Sequence, residues 1–142
     1  MPKASVALEV QPPYGQLIAD KIKSIETRRY KLPPELLHQP VYLLQSTKGI
    51  EGVSALPDEI DENNDDLVIL GEIIVDEVFQ YTSMLQYNED RHLHRVPVES
   101  NYNYVEGCEL YGWRIGSLVK YEKGIRNPKL KRFMRSLFSV FE

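Results

Sequence analysis

The residues of this sequence best suited to chemistry lie close together in the segment KSIETR, at positions 23–28. Lys23 offers an ammonium group, Glu26 a carboxylate, and Arg28 a planar guanidinium that pairs with phosphates, carboxylates and base edges. Two cations beside one carboxylate suit a polar, anionic ligand. A lysine–glutamate pair also does acid–base work when burial shifts its pKa values.

A helix is predicted directly before this segment. Leu17, Ile18 and Ile22 recur at helical spacing, so we expect them to face a core, and a helix is predicted over 14–21. The two prolines at 12–13 end the strand before it, because proline cannot donate to a strand ladder.

After Lys23 the period of the sequence changes to two residues. Polar and apolar residues alternate, which predicts a strand over 24–30. Glu26 and Arg28 then project from one face of that strand, and Lys23 lies within reach of them at the corner between helix and strand.

The remaining elements are mostly strands. Apolar or alternating runs predict strands at 5–10, 41–45, 67–79, 109–121 and 136–141. Gly71 predicts a bulge or a bend inside the longest of these runs. The basic run at 129–135 is interpreted as helical, and a short helix is expected at 81–85.

The run QPPYGQLIADKIKSIETR, at 11–28, resembles the signature of the ASCH (activating signal cointegrator homology) domain family. That pattern has Gln-Pro-Tyr or Gln-Pro-Trp, an apolar helix, and then Gly-Ile-Lys-x-Ile-Glu-x-Arg. The matching positions are Pro13, Tyr14, Ile22, Lys23, Ile25, Glu26 and Arg28. Two positions depart from it: Pro12 stands where the pattern has Gln, so Gln11 is one residue early, and Lys21 replaces a glycine, which predicts a less tight helix end.

The resemblance implies an α+β fold: a PUA-like mixed β-barrel of five to six strands with short flanking helices, in one domain over 1–142. It also implies a pocket beside the Lys-x-x-Glu-x-Arg segment that binds RNA or a nucleobase. The residues expected to contact the ligand are Pro13, Tyr14, Lys23, Glu26, Arg28, Ser46, Thr47, Lys48 and Trp113.

The residue types indicate a role for each group. Lys23 and Arg28 suit phosphate, and Glu26 suits an exocyclic amine of a base. Tyr14 suits stacking on an unpaired base. Trp113 either stacks on a base or packs in the core, and the core role is favoured. The competing structural interpretation is that Glu26 and Arg28 only pair with each other while Lys23 is solvated.

Three functions remain open at this stage. The favoured one is a module that binds single-stranded RNA or a nucleobase, in RNA metabolism or transcription coregulation. An ASCH-type hydrolase, either an acetylcytidine amidohydrolase or a ribonuclease, would use Lys23 and Glu26. However, Glu26 stands where the amidohydrolases carry a threonine, so their hydroxyl nucleophile is lacking there. The third candidate is a protein-interaction module.

The charge of the 142-residue chain is unevenly distributed around a net value of −4. Residues 51–110 carry fifteen acidic and two basic side chains, whereas residues 111–142 carry two and eight. An acidic, mobile loop is predicted at about 54–66, and the basic segments are expected to steer a polyanion to one side of the molecule.

Several classes of protein and site are not expected. A single cysteine excludes an internal disulfide, and the absence of a long apolar run predicts no membrane span. We expect an intracellular protein, cytoplasmic or nuclear, that is a monomer. Walker, nucleophile-elbow and zinc motifs are lacking. His92 and His94 lack a recognised metal-ligand spacing, so neither a metal nor another cofactor is expected.

Overall fold

The computed structural model of the chain describes residues 4–46, 56–61, 64 and 66–141. Strands dominate this part of the chain, and its helices are short. The strands are β1 (Val6–Val10), β2 (Ile25–Arg28), β3 (Pro40–Ser46), β4 (Glu59–Ile60), β5 (Leu67–Gln80), β6 (Tyr111–Arg126), β7 (Lys129–Met134) and β8 (Leu137–Phe141). The helices are α1 (Tyr14–Ala19), α2 (Met84–Glu89) and α3 (Arg91–His94), with a 3-10 turn at Pro34–Leu36.

All eight strands belong to one sheet in the order β2-β6-β5-β3-β1-β8-β7-β4. β1 and β3 are parallel, and the other neighbours are antiparallel. The predicted sheet-dominated fold with a few short helices is therefore confirmed. A closed barrel of five to six strands is not confirmed, because the described strands number eight and no ladder between them joins β2 to β4.

The prediction of a helix at 129–135 is wrong, because this segment forms β7. Leu130 is buried between the exposed Lys129 and Lys131, which is the alternation of a strand with one face against the core. Pairing with β8 stabilises that conformation. The helical interpretation rested on basic composition, which does not report pairing with a distant strand.

α1 ends at Ala19, two residues before the predicted end at position 21. Lys21 adopts a φ of 63°, the left-handed conformation that glycine favours at helix ends. Lysine therefore keeps the tight turn expected of glycine, and the expectation of a looser helix end is wrong. Because the chain reverses there, Ile22 lies outside the helix and is 45% exposed instead of facing the core.

The predicted irregularity at Gly71 is confirmed. The register of β5 shifts beside Gly71 against both of its neighbours, β3 and β6. A side chain at this position would place its Cβ 2.1 Å from the Val119 carbonyl oxygen. Glycine allows the two backbones to approach at this bulge.

The core occupies both faces of the sheet. On one face, α1 covers a cluster that includes Leu8, Leu43 and Trp113. On the other face, Leu44 and Phe138 belong to a second cluster. A third cluster joins the turns and helices between β5 and β6; its buried members are Tyr81, Tyr87, Val96, Tyr104 and Leu110. This third cluster matters for function because it supports the wall of the site described below.

The predicted acidic loop at 54–66 is only partly described. Its described part contains β4, which pairs with β7 and buries Ile60. Arg132 holds the same part through the Asp58 carboxylate at 2.9 Å and the Leu56 carbonyl at 2.8 Å. Thus Leu56–Ile60 is docked on the sheet, whereas residues 54, 55, 62, 63 and 65 lie outside the described residues.

None of the helices in the described ranges is both long and apolar enough to cross a membrane.

Candidate functional site

A cleft of about 440 Å³ opens where β2 approaches β1. No backbone ladder joins these two strands within the described residues. A side chain connects them instead, because Nη2 of Arg28 donates a hydrogen bond of 2.7 Å to the Glu9 carbonyl oxygen. The cleft thus lies between the edge strand β2 and β1, and polar residues of both strands line it.

The register between β2 and β6 determines which side chains lie on the same face as Glu26 and Arg28. Glu26 lies opposite Trp113 and Arg28 opposite Tyr111, so all four side chains share one face of the pair. Trp113 is fully buried behind the cleft, with its ring 5.9 Å from the Arg28 guanidinium carbon. Its Nε1–H donates to the Tyr30 carbonyl oxygen at 3.3 Å.

Glu26 is the centre of a buried charge cluster. Its Oε2 accepts from Nη2 of Arg28 at 2.9 Å, and its Oε1 accepts from the Thr27 backbone N–H at 3.2 Å. The Lys23 ammonium lies 3.5 Å from Oε1. The Lys23 and Glu26 side chains are 1% and 7% exposed, so water screens these interactions weakly.

The three charges adjust one another's ionisation. Burial alone would raise the pKa of the Glu26 carboxyl, but Arg28 and Lys23 together hold it below its usual value. Burial lowers the pKa of the Lys23 ammonium, and Glu26 only partly opposes this. The pKa of Arg28 is raised, because Glu26 outweighs the effect of burial. The site therefore presents a charged carboxylate and a charged guanidinium. Of the three groups, Lys23 loses its charge most easily, because its pKa is shifted toward the neutral form.

His94 holds Lys23 in place through its backbone. The Lys23 ammonium donates to the His94 carbonyl oxygen. The His94 ring stacks on Tyr87 at 4.2 Å and accepts from the Val96 N–H through Nδ1 at 3.0 Å, so Nε2 carries the proton and donates to the Tyr87 carbonyl oxygen, also at 3.0 Å. Burial lowers the pKa of His94 to about 4, so the ring is neutral.

The other histidine of this segment, His92, does not share the environment of His94. They lie on helix α3, with His92 exposed and His94 buried. Within the described ranges, no group of three or more His, Cys, Asp or Glu side chains is placed to hold a metal ion.

Aromatic side chains form one wall of the cleft. The Tyr14 ring lies 5.3 Å from the Lys23 ammonium, and Tyr102 meets Tyr14 edge-on at 5.7 Å. The Tyr102 hydroxyl donates to Oε1 of Gln11 at 2.5 Å. These contacts dock the segment around Tyr102 onto the turn between β1 and α1.

Exposed polar side chains surround the opening; we call Arg29, Asn101 and Arg135 the rim. The Arg135 guanidinium carbon lies 5.3 Å from the Tyr30 ring centre, and Tyr30 also lines the cleft. The rim therefore carries two cations outside the buried cluster.

The structure brings together four of the nine predicted ligand residues: Tyr14, Lys23, Glu26 and Arg28 line the cleft. Three others do not line it, because Pro13 is exposed beside it, Ser46 is buried at the end of β3 and Trp113 is in the core. Thr47 and Lys48 lie outside the described residues.

The sequence interpretation missed lining residues that come from distant segments. Glu9, Gln11, Asn101 and Tyr102 belong to β1, the β1–α1 turn and the loop before β6. Arg135, in the β7–β8 turn, belongs to the basic segment that was expected to attract a polyanion. Glu9 was detectable in principle, because a carboxylate inside the apolar strand VALEV is unusual, and it is 3% exposed. Gln11 belongs to the ASCH-like run but stands one residue early in it, and Asn101 and Tyr102 carry no local signal.

Comparison with family models gives no match, and neither does comparison with curated proteins. Among solved structures, the crystal structure of ASCH from Zymomonas mobilis aligns with a TM-score of 0.57 at 12% sequence identity, over 85% of this chain and 72% of that chain. The chain has the ASCH fold.

Two variant structures of the same Zymomonas mobilis protein agree with this result. A serine-to-alanine variant aligns with a TM-score of 0.57 at 13% identity, over 85% of this chain and 72% of that chain. A tyrosine-to-phenylalanine variant aligns with a TM-score of 0.57 at 11% identity, over 87% and 76%. The predicted ASCH resemblance is thus confirmed at the level of the fold, and the ASCH-like run at 11–28 lies along the cleft.

Proposed function

We propose that the cleft binds one nucleotide of a single-stranded RNA. The observation that carries this proposal is the combination, in one cavity, of a buried carboxylate–guanidinium pair, tyrosine rings and an arginine-bearing rim. The cavity volume of about 440 Å³ lies in the range of ~300–1,000 Å³ typical of small-molecule sites. It admits a base splayed out of a single strand, which is how proteins usually read RNA sequence.

The buried pair suits the edge of a base. A guanidinium has donors on three nitrogens, and both hydrogen bonds that Arg28 makes with described residues use Nη2. Oε2 of Glu26 has a second lone-pair direction beside the one that Arg28 occupies. An acceptor beside donors complements a base edge that presents a donor beside an acceptor.

The rim suits the phosphate backbone. Arg29 and Arg135 are exposed at the opening, and guanidinium groups bind phosphate through paired hydrogen bonds. Their charge is local, which explains how a chain of net charge −4 would attract a polyanion at one place.

We expect the double variant Arg29→Ala/Arg135→Ala to bind single-stranded RNA more weakly and with less dependence on salt. Each phosphate contact on a single strand contributes ~0.7 to the slope of log K against log salt, so the slope should fall by about 1.4. The measurement is a titration of labelled RNA octamers at several salt concentrations.

The matched control is Lys123→Ala/Arg126→Ala, which removes the same charge from exposed residues at the far end of β6. It should keep the wild-type slope. If both double variants lowered the salt slope equally, the attraction of RNA would be non-specific. Equal affinity for duplex and single-stranded RNA would contradict a site for a splayed base.

A second candidate function is hydrolysis of RNA or of a modified nucleoside such as acetylcytidine. The observation in its favour is Lys23, a buried amine with a lowered pKa only 3.5 Å from the Glu26 carboxylate. Such a pair exchanges protons more readily than exposed lysine does. Product formation from RNA or acetylcytidine that disappears in Lys23→Met would favour this candidate.

A further inference from the structure

The cleft wall that carries Asn101 and Tyr102 belongs to a loop, residues 97–103, without helix or strand structure. Its shape is held from inside by one side chain. Nδ2 of Asn103 lies 2.7 Å from the Pro97 carbonyl oxygen, 2.9 Å from that of Val98 and 2.9 Å from that of Ser100. Two amide hydrogens thus serve three acceptors spread along the loop.

The other end of the same amide is bound to the helical platform, α2 and α3. Oδ1 of Asn103 accepts from the Tyr87 hydroxyl at 3.0 Å and from Nη1 of Arg91 at 3.1 Å. Because arginine only donates, the oxygen must face Arg91 and the NH₂ group must face the three carbonyls. The orientation of the amide is therefore fixed by its partners.

This platform also positions Lys23, a member of the buried charge cluster around Glu26. Tyr87 stacks on His94, and the His94 carbonyl oxygen accepts from Lys23. Asn103 thereby ties the loop to the element that positions the Lys23–Glu26 pair. A second contact holds the loop from its other side: the Tyr102 hydroxyl donates to Gln11 in the β1–α1 turn.

We propose that Asn103 is a positioning residue for ligand binding: it preorganises the loop that presents Asn101 and Tyr102 to the cleft. The inference rests on the proposed function of the cleft. Asn103 itself need not touch the ligand to have this role. If the loop holds its binding-competent shape only part of the time, the apparent Kd rises in inverse proportion to that fraction.

Asn103→Asp is the variant that tests this role. The aspartate has the same shape and keeps the acceptor toward Tyr87 and Arg91, but it loses both amide hydrogens and sets an oxygen against three carbonyls. If the loop is then competent about one tenth of the time, the Kd for an RNA octamer rises about tenfold. Because the loop is then open most of the time, amide exchange at 98–102 should approach the rate of unprotected backbone, while exchange in β5 stays unchanged.

The matched control is Asn88→Asp. Asn88 is the other asparagine bound to Arg91, with its Oδ1 2.8 Å from Nη2, and it lies on α2 outside the loop. This variant should keep wild-type affinity and loop exchange. A second loop variant, Ser100→Ala, removes the Oγ that accepts from the Tyr102 N–H at 3.0 Å without changing Asn103, and it should weaken binding in the same direction.

Affinity is measured where every variant is fully folded, so a loss of global stability alone leaves Kd unchanged. Wild-type affinity in Asn103→Asp, or unchanged loop exchange, would overturn the positioning role while the proposed function stands. If Asn103→Asp does not fold, wild-type affinity in Ser100→Ala overturns it instead. Absence of RNA binding by the wild-type protein would overturn the proposed function, and the inference with it.

Discussion

Replacing Glu26 by glutamine should lower the free energy of unfolding by about 3 kcal/mol, because removing one partner of a buried ion pair leaves uncompensated charge in the interior. Glu26 neutralises both Arg28 and Lys23, and its side chain is 7% exposed. Glutamine keeps the shape and removes the charge. Discharge of Lys23 relieves part of the loss but leaves the Arg28 guanidinium unpaired. Urea unfolding at pH 7 measures the difference.

Glu77→Gln is the matched control for this variant. Glu77 pairs with Arg114 at 2.9 Å, the same distance as between Glu26 and Arg28, but both side chains of that pair are about half exposed. An exposed pair contributes only ~0–1 kcal/mol, so this variant should remain close to wild type. Equal losses in the two variants would show that the Glu26 cluster is screened like a surface pair.

The second large effect is a loss of stability in mild acid caused by His94. The pKa of His94 is about 4 in the folded protein, below the ordinary value of 6.5, because the ring is buried. Charging it would also place a proton on Nδ1, the atom that accepts from the Val96 N–H. The unfolded chain therefore takes up the proton first as the pH falls. Stability is fully present above pH 6.5 and declines toward pH 4, by up to ~1.4 kcal/mol per pH unit and about 3 kcal/mol in total.

Unfolding measured between pH 6.5 and 5 isolates this contribution. The pKa of the Glu26 carboxyl is also lowered, but its contribution is lost only as the pH falls below the ordinary glutamate range. His94→Gln should abolish the decline between pH 6.5 and 5, although it lowers stability at pH 7. His92→Gln replaces an exposed ring on the same helix and should retain the decline. A decline that persists in His94→Gln would exclude His94 as its source.

The sequence predicted the parts of the site that local periodicity determines. The alternation after Lys23 placed Glu26 and Arg28 on one face of β2, and the structure shows both in one ion pair. The same alternation located most strands of the sheet, since side chains of a strand reach a core every second residue.

The parts that sequence did not predict depend on contacts between distant segments. Lys23 was correctly placed at the corner within reach of Glu26, but its burial was not predicted, because α3 and its His94 carbonyl, which cover it, are remote in the sequence. The 97–103 loop has no period, because hydrogen bonds of Asn103 and not apolar burial determine its course. β4 was missed because its two residues lie in an acidic run and are held by pairing with β7.

The central claim, that single-stranded RNA binds in the cleft, is tested most directly by titrating ¹⁵N-labelled protein with an RNA octamer and following each backbone amide by NMR. We expect the largest shift changes at Thr27, Arg29 and Tyr102, which line the cleft, with small changes at the far end of β6 around Arg126. Shift changes confined to the far end of β6 and to β7, or no changes at saturating RNA, would contradict the account.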